Sequence, residues 1–157
     1  MRNGTLPMVS WLVAAANFSA HPGRPLYGAW YISEVMKILT EKPETWKKTI
    51  FIVTFAENDG LFDHVPPFVA CDPLRPESGK TSEGLNPAPE YAYKEDERIQ
   101  GTAEKDVRDG PIGLGFRVPM VIASPWSRGG WVNSQVCDHS SIIRLLEVFI
   151  SKKLGKM

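Results

Sequence analysis

Apolar residues of the chain are concentrated in short runs, separated by polar stretches rich in glycine and proline. Residues 49–55 are β-branched or aromatic at nearly every position, which predicts a strand. Residues 8–14 form an apolar run after Pro7, a pattern typical of a buried strand in a parallel sheet, although a buried helix shares it. Residues 117–124 predict a third strand, in which the early Pro119 favours an edge or a strand start.

Two segments show the three- and four-residue spacing of an amphipathic helix. The first begins near Leu26 and ends or bends at Pro43, because proline cannot continue the hydrogen bonding of a helix interior. The second opens at Asp138, whose side-chain oxygens can cap the first free N–H groups of a helix. The positions expected to be buried are Tyr27, Trp30, Tyr31, Val35, Ile38 and Leu39 in the first helix, and Ile142, Leu145, Leu146, Phe149 and Ile150 in the second.

The order strand, helix, strand at the beginning of the chain predicts a right-handed βαβ unit. The predicted fold class is therefore α/β, with a mostly parallel sheet flanked by helices. Residues 68–115 interrupt this order with several prolines, many charges and no sustained periodicity. Loops this long in compact domains are usually functional or mobile, so we interpret this one as a lid over a site, with a disordered insertion as the alternative.

Composition narrows the possible functions. The 157 residues include 18 basic and 18 acidic side chains, so no net positive charge favours binding to nucleic acid. No apolar run approaches the ~20 residues of a membrane-spanning helix, and the first residues lack the apolar stretch of a signal peptide. The two cysteines, Cys71 and Cys137, define neither a disulfide framework nor a CxxC metal motif.

The polar segment directly after residues 49–55 carries the densest group of chemically active side chains. Ligands of open parallel sheets bind beyond the carboxyl ends of the strands, so this position favours a site. Carboxylate and amide oxygens are hard ligands for a divalent cation, and a nearby imidazole can bind a metal or stabilise an anion. Asn-Asp-Gly at residues 58–60 is also ordinary turn chemistry, which is the alternative. The candidates are Glu57, Asn58, Asp59, Asp63 and His64.

The other two histidines are also candidates. His21 follows the predicted strand at 8–14, and the ends of adjacent parallel strands would bring it towards His64. His139 lies at the start of the last predicted helix, where it either faces the same site or simply follows the Asp138 cap. Surface positions are the alternative for such loop histidines. The residues alone thus predict an α/β domain with a metal or phosphate site.

Several segments resemble one known family, the bacterial phosphoesterases, which include phosphocholine-preferring phospholipases C and related acid phosphatases. The family signature is similar to residues 49–67, which read TIFIVTFAENDGLFDHVPP. The resemblance is strongest to the phosphocholine-specific phospholipases C and extends, in the same order, over almost the whole chain. The further matching segments are LPMVSW at 6–11, SAHP at 19–22, GLGFRVPM at 113–120, SPWSRGG at 124–130 and DHSS at 138–141.

The resemblance implies an alkaline-phosphatase-like fold and metal-assisted hydrolysis of a phosphate ester through a serine or threonine nucleophile. By position, Glu57 matches a carboxylate beside a divalent metal ion of unknown identity, and His21 and His64 match histidines around the phosphate. The implied substrate is a phosphatidylcholine-like lipid, with phosphomonoesters, the substrates of acid phosphatases, as the alternative. By the same analogy the parent protein is expected to be secreted or periplasmic.

This chain departs from the family pattern at two site positions. Ala56 stands where the family has an aspartate expected to bind the metal, and Ala20 stands where an acidic residue precedes the His-Pro pair. A methyl group can neither coordinate a cation nor orient an imidazole. A noncatalytic chain that only binds a ligand or partner is therefore a third hypothesis.

Length is the other departure, because the family's nucleophile and remaining ligands lie in an N-terminal region that has no counterpart here. We therefore interpret residues 1–157 as the C-terminal part of a catalytic domain, with no nucleophile of its own, inactive alone and partnered by the N-terminal remainder. An incomplete sheet is expected to expose an edge and an apolar face. Trp126 and Trp131 are candidates to hold a quaternary ammonium, with ordinary packing in a core or interface as the alternative.

Overall fold

The computed structural model of the chain describes residues 5–21, 24–101 and 103–155, apart from the side chain of Arg98. Sequence predictions that concern residues 1–4 and Pro22 lie outside the described residues. The chain divides into two compact units. One unit is Met1–Leu61 with Val118–Val136, and the other is Phe62–Arg117 with Cys137–Met157.

The described elements are short apart from two helices. The helices are α1 (Pro25–Thr40), α2 (Pro43–Trp46), α3 (Lys94–Ile99) and α4 (His139–Lys153). The strands are β1 (Phe51–Thr54), β2 (Tyr91–Ala92), β3 (Gly110–Pro111) and β4 (Met120–Ala123). Single 3₁₀ turns lie at Ala16–Phe18, Pro76–Ser78, Ala88–Glu90 and Glu104–Asp106.

Four predicted elements are confirmed within one or a few residues: the helices α1 and α4 and the strands β1 and β4. In the first unit, β1 pairs with β4 in antiparallel register, with Phe51 opposite Ala123 and Thr54 opposite Met120. In the second unit, β2 pairs with β3, also antiparallel. The chain therefore combines helices with small antiparallel sheets, which is consistent with a fragment of an α/β fold.

The predicted strand at residues 8–14 is wrong, and so is the βαβ unit built on it. This segment has no regular secondary structure, and Trp11 and Val13 are largely exposed. An apolar run becomes a strand only where a neighbouring strand takes its backbone hydrogen bonds. Within the described ranges nothing pairs with residues 8–14, and the pairs that do form are antiparallel, so the parallel sheet predicted from this run is not observed.

Burial follows the predicted helix faces only in part. Val35 and Leu39 of α1 are buried, whereas Leu145 and Phe149 of α4 are about half exposed. Periodicity fixes which residues share a helix face, but it does not supply the partner that covers the face. The expected exposed apolar surface is present on β4, where Val121 is exposed.

None of the described helices has the length and apolar character needed to cross a bilayer.

A buried carboxylate orders part of the long segment at 68–115. Asp72 has only 3% of its surface exposed and accepts hydrogen bonds from Arg75 Nε at 2.8 Å, Leu74 N at 2.9 Å and the Tyr93 hydroxyl at 3.0 Å. Burial alone would raise the pKa of Asp72, but these hydrogen bonds outweigh it and hold the pKa below its ordinary value. Asp72 therefore joins residues 74–75 to Tyr93 within this segment, and its role as a lid stays a prediction.

The start of α4 is fixed by a capping box, which makes a testable prediction about Asp138. Its carboxylate accepts from Ser140 N at 2.8 Å, while its own N–H donates to the Ser141 hydroxyl at 3.1 Å. Replacing Asp138 by alanine leaves helix N–H groups without a partner, so we expect the first turn of α4 to fray several-fold more often. Amide hydrogen exchange of residues 139–142 measures this, and Asp138→Ser, which keeps a capping oxygen, should stay close to the parent. Equal exchange in the alanine and serine variants would contradict the prediction.

Candidate functional site

The segment after β1 closes in a tight turn at residues 58–61. Leu61 N donates to Asn58 O at 2.8 Å, and the Asn58 side-chain amide donates to Leu61 O. Asp59 and Gly60 both have positive φ, 52° and 78°, as the two central residues of a type I′ turn do. Aspartate is among the few side chains that adopt this conformation readily. The turn that was the alternative interpretation of residues 58–60 is therefore present, and the Asn58 side-chain amide forms one of its hydrogen bonds.

Three side chains of the first unit come together beside this turn: His21, Glu57 and Asp59. Each offers one possible ligand atom, and these atoms all lie within 4.8 Å of one another. His21 Nδ1 lies 3.5 Å from Asp59 Oδ1. Asp59 is the most shielded member, with 24% of its side chain exposed against 73% for His21. We refer to these three residues as the His21–Glu57–Asp59 cluster.

The His21–Glu57–Asp59 cluster fits a divalent cation in spacing and in chemistry. Protein ligands lie about 2.0–2.6 Å from such an ion, so two ligand atoms of one ion are at most about 5 Å apart. The 4.8 Å limit on this cluster satisfies that condition. One imidazole nitrogen and two carboxylate oxygens form a mixed set that suits several divalent metals. The structure therefore contains a possible ligand group, without selecting one metal.

Helix α1 positions the loop that carries His21. A Cβ placed on Gly28 would lie 2.8 Å from Ala20 N and 2.9 Å from the Ser19 carbonyl carbon, so only glycine allows the helix to approach the loop this closely. The loop is also held internally, because the Ser19 hydroxyl donates to Ala16 O at 3.0 Å and Arg24 N donates to His21 O at 2.8 Å. His21 thus sits on a backbone supported by the packed helix.

Asp63 and His64 lie in the second unit, and Asp63 also contacts Arg117, which was not a candidate from the sequence. Asp63 Oδ1 is 2.9 Å from His64 Nδ1, and Asp63 Oδ2 accepts a hydrogen bond from Arg117 Nε. The hydrogen bond from Arg117, together with the Arg117 charge and the neighbouring His64, outweighs desolvation and lowers the pKa of Asp63 from its ordinary value of 3.8 to about 2. The neighbouring carboxylate in turn raises the pKa of Arg117.

The remaining candidates have simpler surroundings. His139 is the first residue of α4, next to the capping residue Asp138. Ala56 is exposed and directly precedes Glu57, just after β1. Trp126 and Trp131 are exposed, so they are not core aromatics of this chain, and packing at an interface or against a ligand stays a prediction.

Two features of the site were not foreseen from the sequence. The pairing of His21 with Asp59 depends on the close contact at Gly28, which no spacing rule reveals. The sequence did contain a signal for Arg117, because this residue lies inside GLGFRVPM, one of the family-like segments. A lone arginine beside a strand, however, looks like a surface charge rather than a site residue.

Comparison with known proteins agrees with the resemblance seen in the sequence. Residues 1–150 match the model of the Phosphoesterase family. A non-hemolytic phospholipase C of Burkholderia pseudomallei is 45% identical over 148 residues, covering 94% of this chain and 19% of that protein. A non-hemolytic phospholipase C of Pseudomonas aeruginosa is 48% identical over 149 residues, covering 91% of this chain and 20% of that protein.

A plant protein extends the similarity beyond bacteria. Non-specific phospholipase C6 of Arabidopsis thaliana is 30% identical over 132 residues, covering 78% of this chain and 21% of that protein. The chain thus spans about a fifth of the length of these relatives.

Proposed function

Since the chain belongs to the Phosphoesterase family, we propose that it forms part of a phospholipase C-type phosphodiesterase acting on phosphatidylcholine-like lipids. The observation that carries the proposal is the His21–Glu57–Asp59 cluster, whose two carboxylates lie just after β1, within the segment at residues 49–67 that resembles the family signature. The names of the relatives support the reaction class, because both bacterial proteins described above are phospholipases C. The substrate is inferred from the resemblance and is part of the proposal.

In this proposal His21, Glu57 and Asp59 hold a divalent cation. When bound, such an ion would offset negative charge on a phosphate ester and polarise its P–O bond. Glu57 and Asp59 supply the negative charge that attracts the cation, and the turn at residues 58–61 fixes the backbone of Asp59. The resemblance placed His21 beside the phosphate, whereas its closeness to the carboxylates of Glu57 and Asp59 favours a role as a cation ligand.

The rest of the catalytic machinery is proposed to lie in a longer protein. Residues 1–157 would then be the C-terminal part of its catalytic domain, completed by a nucleophile and further strands in an alkaline-phosphatase-like parallel sheet. By family analogy, that protein would be exported. We expect the 157-residue chain alone to hydrolyse phosphocholine esters negligibly. On the complete protein, a choline phosphodiester compared with a simple phosphomonoester separates a phospholipase C from an acid phosphatase.

A noncatalytic binding role is favoured by one specific observation, the exposed methyl group of Ala56 beside Glu57. In that case the cluster would bind a cation weakly and the complete protein would show no turnover. Ala56→Asp, argued in the Discussion, tests whether the missing carboxylate limits cation binding, as this role requires.

The cation proposal predicts a selective effect of Glu57→Gln. Removing one carboxylate charge from the cluster should weaken Mn²⁺ binding about tenfold or more, since even residues that only support metal ligands commonly have effects of this size. Titration calorimetry on the 157-residue chain measures the affinity. The matched control is Glu77→Gln, at an exposed glutamate in the turn Pro76–Ser78, which should leave the affinity unchanged. Equal affinities in the two variants would overturn the assignment of Glu57.

A further inference from the structure

Outside the His21–Glu57–Asp59 cluster, the second unit contains a network of three polar side chains, Arg117, Asp63 and His64. Asp63 uses its two oxygens for two different partners, with Oδ2 accepting from Arg117 Nε and Oδ1 lying 2.9 Å from His64 Nδ1. Asp63 is the shielded member, with 16% of its side chain exposed, whereas 86% of the His64 side chain is exposed. The network therefore links a shielded carboxylate, that of Asp63, to an imidazole that is exposed to solvent, that of His64.

Packing explains why Asp63 and Arg117, which are 54 residues apart in the sequence, come into contact. The rings of Phe62 and Phe116 pack with their centres 5.8 Å apart. These aromatics directly precede Asp63 and Arg117, so their contact brings the carboxylate and the guanidinium together. The contact between Arg117 and Asp63 is thus supported by apolar packing as well as by charge.

The geometry determines which imidazole nitrogen is available for chemistry. Nδ1 faces an ionised carboxylate, which only accepts hydrogen bonds, so Nδ1 carries the proton in the neutral ring. Nε2 is then unprotonated and free to accept a proton. When Nε2 takes a proton from a water or hydroxyl group, the ring becomes an imidazolium with a proton on each nitrogen. The negative charge of Asp63 offsets the positive charge that forms.

We propose that Arg117 is a positioning residue: it orients Asp63, which fixes His64 in the Nδ1–H tautomer with Nε2 presented for proton transfer. Arginine suits this task, because its planar guanidinium stays charged and directs its donors in fixed directions. The use of Nε2 on a phosphate ester rests on the proposed function. The tautomer itself depends only on the residues of this unit.

Imidazole ¹⁵N NMR on the 157-residue chain tests this inference without metal or turnover. Neutral His64 should be mainly the Nδ1–H tautomer. In Arg117→Gln the ratio should move about fivefold towards Nε2–H, the effect of losing one ordinary net hydrogen bond. Arg144→Gln is the matched control, because Arg144 is an exposed arginine paired with Glu147, and it should leave the ratio unchanged. A mainly Nε2–H ring in the parent, or equal ratios in the parent and Arg117→Gln, would overturn the proposal.

A second measurement, the pKa of the Asp63 carboxyl group, uses the unmodified chain and so does not depend on a variant that folds. The groups facing the Asp63 carboxylate are the Arg117 guanidinium and the His64 side chain and backbone N–H, and together they hold its pKa at about 2. Because this pKa is depressed, the stabilisation is fully present above the ordinary value of 3.8 and is lost as the pH falls through about 2. Carboxyl ¹³C titration should show this midpoint, and an ordinary value near 3.8 would overturn the contact. Since neither measurement involves a cation, failure here is distinguishable from failure of the Mn²⁺ titration.

Discussion

Replacing Gly28 by alanine is expected to destabilise the first unit and to weaken cation binding in the same variant. The added Cβ would lie 2.8 Å from Ala20 N and 2.9 Å from the Ser19 carbonyl carbon, distances that real Cβ atoms essentially never show. Both contacts are with backbone atoms, so no flexible side chain can move aside. Helix α1 and the loop at residues 19–21 must therefore separate, which displaces His21.

The expected change in stability is opposite to the usual effect of replacing glycine by alanine in a helix. At an ordinary position in a helix, glycine to alanine stabilises by about 0.8–1.0 kcal/mol, because alanine has the higher helix propensity. Forcing an extra methyl group into a packed contact costs roughly 1–3 kcal/mol. We expect the packing cost to exceed the propensity gain, so that Gly28→Ala lowers the free energy of unfolding.

Urea denaturation and a Mn²⁺ titration of the same sample measure the two effects. Gly79→Ala is the matched control, because Gly79 has an extended φ of 170° and its nearest atoms beyond the neighbouring residues are 3.8 Å from an added Cβ. The control should change neither property. A more stable Gly28→Ala variant with unchanged Mn²⁺ affinity would show that the helix does not support the loop carrying His21.

Replacing Ala56 by aspartate is expected to raise the affinity for a divalent cation about 10- to 100-fold, within the range seen when residues that support a metal site are changed. Ala56 directly precedes Glu57 and is exposed, so a carboxylate can be added there without overpacking a core. The family resemblance places an aspartate ligand at this position. The added negative charge and ligand atom should both favour the bound state.

Ala103→Asp is the matched control for the added charge, since Ala103 is also exposed but lies outside the cluster, beside the turn Glu104–Asp106. Calorimetric titration with Mn²⁺ should show the increase for Ala56→Asp alone. Equal affinities for the two variants would mean that the missing carboxylate does not limit cation binding. The methyl group of Ala56 would then give no support to the noncatalytic hypothesis.

Local structure was predictable from the sequence where local rules decide it. The three- and four-residue spacing located α1, and the β-branched residues of 49–55 located β1. Asp138 was identified as a helix cap because its oxygens match the free N–H groups of α4. A turn at residues 58–60 was the alternative interpretation of Asn-Asp-Gly, which tolerates positive φ, and the structure has that turn.

Pairing and burial were less predictable, because they depend on partners distant in the chain. The apolar run at 8–14 looked like a strand, but hydrophobicity does not provide the strand that would accept its hydrogen bonds. The direction of the β1–β4 pair was equally open, since neither strand encodes its own orientation. The residues expected to form the buried stripe of α4 share one helix face, but none of them is buried, and Leu145 and Phe149 are exposed.

In the candidate site, too, the residue types were predictable and the contacts between distant residues were not. The types of residue and their place after β1 were enough to select Glu57, Asp59, Asp63 and His64. Their contacts were not predictable: within the first unit Glu57 and Asp59 lie with His21, and within the second unit Asp63 contacts Arg117 and His64. Both groupings rest on long-range contacts, one through Gly28 and the other through the Phe62–Phe116 pair.

The most direct test of the cation proposal is an anomalous difference map from Mn²⁺-soaked crystals of the 157-residue chain. The expected result is one strong peak within ligand distance of a His21 ring nitrogen and of carboxylate oxygens from Glu57 and Asp59. No peak between these side chains at saturating Mn²⁺, with His21 and Glu57 turned away from each other, would contradict it.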